Sequence, residues 1–124
     1  MQQDITLTEV AEFLQTFKEN AQGIPQRVFL VPRSKNLESI AEMGFTEKIA
    51  KEAILNILPI EYSQGPLLEK NYNFGEQELW VFGKDVFGFE VYIKTTVGIK
   101  KDECKCLSFH KSERPMIYIF KTKE

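Results

Sequence analysis

His110 is the only histidine in a chain of 124 residues. It stands in the run Cys106-Leu107-Ser108-Phe109-His110-Lys111-Ser112-Glu113-Arg114-Pro115-Met116. Imidazole has the ordinary pKa nearest neutrality, so His110 is the natural proton-transfer group. Lys111 and Arg114 follow it as cations, with the Glu113 carboxylate between them. A second cluster lies upstream, where Tyr92 and Lys94 are separated by one residue and Lys84 precedes both. A titratable group, a phenol and several cations are what a site needs to hold and transform a phosphate diester. The cations clamp the phosphoryl oxygens and offset developing charge, while the titratable group moves a proton. Cys104 and Cys106 add little, because two thiols and one histidine fall short of a metal site. On one strand face they are also too close in sequence to make a useful cross-link. No metal and no cofactor is expected.

The elements that must position these residues are read from periodicity. Thr6-Leu7-Thr8-Glu9 has the form of a capping box, and Ile5 and Val10 can form its hydrophobic staple. Val10, Phe13, Leu14 and Phe17 then recur at helical spacing to about residue 20. Gly23 and Pro25 are expected to end that helix. Arg27–Val31 reads as a short strand stopped by Pro32. Asn36 is placed as the cap of a short helix carrying Leu37, Ile40, Ala41 and Met43, closed by Gly44. Thr46 caps the next helix, whose Ile49, Ala50, Ala53, Ile54 and Ile57 share one face as far as Pro59. The stretch 61–77, rich in Gly, Pro, Asn and Gln, reads as loop.

From residue 78 the period changes to two. Leu79–Phe82 and Phe89–Val97 are strands, joined by a short hairpin connection over Lys84–Gly88. Cys104–Phe109 is a third strand after the charged turn Lys100–Glu103, and Met116–Lys121 is a short last one. Strands in succession with short turns pair antiparallel. The expected class is therefore α+β, one domain over 1–124, with a mostly helical part at 1–60 packed on one face of a small antiparallel sheet at 78–121.

Alternation assigns the faces. Phe89, Val91, Ile93, Thr95 and Val97 must look inward, so Glu90, Tyr92, Lys94 and Thr96 look outward, with Tyr92 and Lys94 about 7 Å apart. On the third strand Leu107 and Phe109 are expected inward, and Cys106, Ser108 and His110 outward. Antiparallel pairing then sets Ser108 and His110 beside Tyr92 and Lys94, with Lys84 joining from the first strand. That patch carries the chemistry of RNA cleavage by attack of a ribose 2′-hydroxyl on the adjacent phosphate. His110 serves as base or acid, Lys84, Lys94, Lys111 and Arg114 clamp the phosphate, and Tyr92 stacks on a base or donates its hydroxyl. The competing reading is a solvated sheet face that binds RNA or protein without cutting.

The formal net charge is −2, which argues against a general nucleic-acid binder. It is unevenly spread. Residues 1–79 hold 7 Lys+Arg against 12 Asp+Glu, net −5, and residues 80–124 hold 9 against 6, net +3. An anionic ligand should meet the C-terminal half. No apolar run approaches the ~20 residues of a membrane span, and the N-terminal residues lack the pattern of a signal peptide, so a cytoplasmic protein is expected.

The segments Pro32-Arg33-Ser34-Lys35-Asn36-Leu37, Trp80-Val81-Phe82-Gly83-Lys84-Asp85, Val91-Tyr92-Ile93-Lys94 and Cys106-Leu107-Ser108-Phe109-His110, followed by Pro115-Met116, resemble the MqsR family of toxins. With Glu61-Tyr62 and Gly65-Pro66 between them, the likeness runs from Val31 to Phe120, roughly 90 of the 124 residues. The resemblance implies a RelE-like fold. It also implies a type II toxin–antitoxin role: metal-independent endonucleolytic cleavage of messenger RNA, restrained by a cognate antitoxin, with the ribosome as a possible further partner. Within the family, the tyrosine of the Tyr-x-Lys strand and a basic residue closing the Ser-Phe strand are implicated in cleavage. These correspond to Tyr92 and His110. A further lysine or polar residue upstream falls nearest Tyr62 and Gln64. The better-known branch has lysine at the position of His110 and is basic overall, and it reads Tyr-Pro-Phe where this chain has Tyr118-Ile119-Phe120. The expected site is therefore His110, Tyr92, Lys94 and Lys84 for catalysis, with Arg114, Lys111, Ser108, Tyr62 and Gln64 on the substrate.

Overall fold

The capping box closes as its residue types dictate. In the computed structural model, which describes residues 4–23, 27–71 and 75–121, the Thr6 hydroxyl accepts from the Glu9 amide at 3.1 Å. The Glu9 carboxylate accepts from the Thr6 amide in return. Helix α1 follows over Leu7–Asn20 and buries Val10, Leu14 and Phe17. It closes on Ala21; Pro25, expected to help stop it, lies outside the described residues. Strand β1 is only Phe29–Leu30, shorter than the expected 27–31. Helix α2 spans Ser34–Glu42 and helix α3 Glu47–Leu55. Thr46 caps α3 as its sequence indicates. Gly44, at φ +74°, takes the left-handed position after α2 that a side chain would resist.

A single 3₁₀ turn over Pro59–Glu61 leads into the sheet: β2 (Tyr62–Asn71), β3 (Gly75–Val86), β4 (Phe89–Thr96) and β5 (Lys105–Lys111). The order across it is β1-β5-β4-β3-β2. The α+β class with helices preceding the sheet is as expected, but the sheet is mixed, because β1 pairs parallel with β5 while every other pair is antiparallel. Phe87 and Gly88, at φ 50° and 89°, make a two-residue turn between β3 and β4. Positive φ at both turn residues matches the twist of the flanking strands. Lys84 therefore belongs to β3 and not to the connection.

Two further expectations are corrected. The stretch 61–77 is not loop, since β2 and the start of β3 form a long hairpin within it. Its composition misled because β2 is an edge strand, where Pro66 sacrifices no ladder bond and Gly65 sits at an irregularity in the pairing. Met116–Lys121 is not a strand. It crosses the outer face of the sheet, where the Met116 amide and the Tyr118 hydroxyl both donate to the Glu90 carboxylate, at 2.9 and 2.7 Å. Gly83 makes the crossing possible: a Cβ there would lie 2.6 Å from the Tyr118 Oη and 2.9 Å from the Met116 Cγ.

The core lies between the helices and one sheet face, with Phe13 of α1 stacked on Trp80 at 4.8 Å between ring centroids. Phe17, Phe82, Ile93 and Phe109 are fully buried within it. A bulge in β5 puts Cys106 opposite Thr95 and Ser108 opposite Lys94, so Leu107 is the extra residue. Cys106 consequently faces the core and not the outer face.

Candidate functional site

Strands β4 and β5 bring the chemical residues together by register. Tyr92 lies opposite His110, and Lys94 opposite Ser108. The Tyr92 and His110 rings stack with centroids 5.0 Å apart and planes within 12°. His110 Nδ1 is 3.0 Å from the Lys111 carbonyl oxygen. A carbonyl only accepts, so Nδ1 carries a proton there and Nε2 is the nitrogen left for proton transfer. Burial pushes the Tyr92 phenol above its usual pKa, against the opposing pull of a hydrogen bond with Gln64 and of the nearby Lys35 charge. Tyr92 is thus a neutral donor at physiological pH.

The walls come from elsewhere in the chain. The segment leading into α2 supplies Arg33, α2 itself supplies Lys35, β2 supplies Ser63 and Gln64, and the segment after β5 supplies Glu113 and Arg114. They enclose an open groove of about 660 Å³ over Tyr92, Lys94, Ser108 and His110. Among the described residues four cations, Arg33, Lys35, Lys94 and Arg114, and one carboxylate, Glu113, line it. The local excess of positive charge suits a phosphodiester, in contrast to the chain's acidic balance. Lys35 and Glu113 form an ion pair across the groove. That ammonium holds the Glu113 carboxyl below the usual carboxylate range, with smaller contributions from His110 and Arg114.

Asn36 fixes the floor. Its side chain is 1% exposed and works like a peptide unit at the sheet edge that β1 is too short to cover. Its amide donates to the carbonyls of Val31 and Leu107, at 2.9 and 3.0 Å, and its oxygen accepts from the Phe109 amide at 3.0 Å. The Ser39 hydroxyl accepts from the Lys111 amide at 2.7 Å one step further along. Asn36 is therefore not the cap of α2, as its residue type suggested. Arg33 occupies that position without a side-chain bond, and Asn36 serves β5 instead.

Of the sequence-predicted site residues, Tyr92, Lys94, Ser108, His110, Arg114 and Gln64 share the groove. Three do not. Lys84 lies opposite Val91 on the helix-covered face, bound to Glu61 at 3.1 Å and to the Asn56 carbonyl at 3.0 Å. Lys111 also turns to that face, its ammonium 5.6 Å over the Phe89 ring. Tyr62 is 5% exposed, packed against Phe82 and Phe120, with its hydroxyl donating to Gly65 O at 2.5 Å. Alternation places Lys84 and Lys111 correctly once the strands are known to run through Lys84 and past His110. Arg33, Lys35 and Glu113 were missed as site residues; the one sequence signal for the first two was their place in the Pro32–Leu37 segment. Burial pushes the Cys104 thiol up to about 12, and Cys106 is raised further by complete burial. Neither forms a thiolate at neutral pH.

Among the described residues no helix is long and apolar enough to cross a membrane. Comparison of the chain with protein-family models, with curated proteins and with solved structures returned no match.

Proposed function

We propose that the chain is a metal-independent endoribonuclease that cleaves messenger RNA by 2′-hydroxyl attack, acting as the toxin of a type II toxin–antitoxin pair. The observation that carries this reading is the stacked Tyr92–His110 pair flanked by Lys94 and Arg114 in one cationic groove. Residues from four of the segments on which the likeness to MqsR toxins rests meet there: Arg33, Lys35 and Asn36, then Tyr92 and Lys94, then Ser108 and His110, then Pro115 and Met116. A phosphate seated among Lys94, Arg114 and Lys35 has its charge offset at the position where charge grows. His110 moves a proton through Nε2, and Tyr92 donates from its neutral hydroxyl. The toxin reading brings with it a cytoplasmic location, a cognate antitoxin as partner, and access to messenger RNA with or without the ribosome.

The test is incubation of purified protein and of His110→Ala with an end-labelled oligoribonucleotide in a chelator. Cleavage to a 2′,3′-cyclic phosphate and a 5′-hydroxyl is expected. His110→Ala should be slower by on the order of 10²–10⁴-fold. Intact RNA with the native protein, or equal rates for the two, sinks the proposal. The net charge of −2 favours one rival, a module that binds RNA or protein without cutting. That rival requires saturable binding with no cyclic-phosphate product.

A further inference from the structure

Cleavage by 2′-hydroxyl attack needs two proton transfers, one from the nucleophile and one to the leaving oxygen. His110 supplies one titratable group, Tyr92 is held neutral, and Lys84, expected from sequence among the catalytic residues as a phosphate clamp, is on the far face. Among the described residues one carboxylate, Glu113, lines the groove. It is three residues beyond His110, on a segment tied back to β4 by the Ser112 amide donating to Glu90 O at 2.8 Å. Lys35 of α2 faces it directly, and His110 of β5 and Arg114 of its own segment act on its charge. Arg33 and, from β4, Tyr92 and Lys94 line the same groove.

Resting on the endoribonuclease reading, we propose that Glu113 is a second catalytic residue, the general base that takes the 2′-hydroxyl proton while the His110 imidazolium protonates the leaving 5′-oxygen. The new bond joins the 2′-oxygen to phosphorus, and the P–O5′ bond breaks. One proton passes to the Glu113 carboxylate and one leaves His110 Nε2, so the enzyme's proton count is unchanged. Water restores each group after product release.

The Lys35 ion pair gives this base a built-in response to substrate. In the free protein the ammonium holds Glu113 ionised and weakly basic. A phosphate entering the groove competes for Lys35, so the carboxylate loses a cation and gains an anionic neighbour. Both changes raise its proton affinity, which brings its basicity closer to what catalysis near neutral pH requires.

Steady-state kinetics on an oligoribonucleotide, with native protein, Glu113→Gln, Glu113→Asp and Lys35→Met, test this. Glu113→Gln should lower kcat about 10²-fold or more with KM within about threefold, and should abolish the low-pH limb of the kcat profile. Glu113→Asp keeps a carboxylate and should retain that limb and recover part of the rate. Lys35→Met breaks the same ion pair and removes a phosphate contact, so it should lose both rate and affinity yet keep the limb. A Glu113→Gln protein within about threefold of native, with its low-pH limb intact, overturns the assignment. So does a Lys35→Met protein that loses the limb together with the rate, because then only the ion pair matters. A native protein that leaves RNA intact sinks the endoribonuclease reading itself. An active native protein indifferent to Glu113→Gln sinks only the role of Glu113.

Discussion

Asn36 shows how one side chain serves stability and site geometry together. Its carboxamide satisfies three backbone groups on β5 and before α2, on either side of Ser108. Leucine has nearly the same volume but no polar atoms, so Asn36→Leu should leave the Leu107 carbonyl and the Phe109 amide without that partner, while the Val31 carbonyl keeps the Arg33 amide. The expected cost is about 3 kcal/mol at ~1–3 kcal/mol per orphaned group, read as a lower urea midpoint with an unchanged slope. A loss under about 1 kcal/mol would show that water or a backbone shift replaces the amide. Lys84 makes the opposite case, a residue assigned to catalysis by spacing and kept for structure by packing. With Glu61 only 7% exposed, Lys84→Met should destabilise by about 3 kcal/mol, because it leaves a buried carboxylate without its partner. The RNA cleavage proposed for the groove should be unaltered in the folded variant. Sequence could identify Lys84 as a cation but not its face, since that depends on where β3 ends. The face of Tyr92 was legible, because an unbroken alternation from Phe89 to Val97 leaves a single choice.

At the level of elements, capped helices were the easiest to read and the outermost strands the hardest. Thr6 and Thr46 declare their helices through local hydrogen bonds that need no tertiary context. Strand β2 has no such local signature: its pairing to β3 is irregular near Gly65, and much of its length is exposed. The Leu107 bulge was equally hidden, because an inserted residue leaves the alternating pattern intact on each side while reversing Cys106. The segment after β5 alternates like a strand yet lies across the sheet, a choice set by the missing side chain at Gly83. Gly83→Val should therefore lift that segment. Hydrogen exchange at the Met116 amide, now bonded to Glu90, should accelerate while the Phe109 amide stays protected. Equal protection at Met116 in both proteins would show that the crossing does not depend on the glycine.

Over the molecule as a whole, the buried phenols and thiols among the described residues share a direction. Burial raises the phenols of Tyr62, Tyr92 and Tyr118 and both thiols. Each of these ionises more readily in the unfolded chain, so between its unfolded and folded pKa the native state binds more protons and stability falls as pH rises. Lys18, lowered by burial and by the Lys84 charge, acts the other way over the same alkaline range but stands alone. Thermal midpoints should accordingly decline from about pH 9 upward. A flat profile to about pH 11 would contradict the burial described. Charge is divided by region too: the cationic groove belongs to a protein of net charge −2, so the RNA binding proposed for that groove should weaken steeply with added salt although the chain as a whole repels polyanions.

The groove is stitched from distant stretches of polypeptide, with Arg33 and Lys35 at one end and Pro115 to Ile117 at the other. While a ribosome is still synthesising the protein, the early pieces wait without their counterparts. The groove is completed only when the stretch beyond β5 emerges, so the activity proposed for it waits until that stretch has left the ribosome.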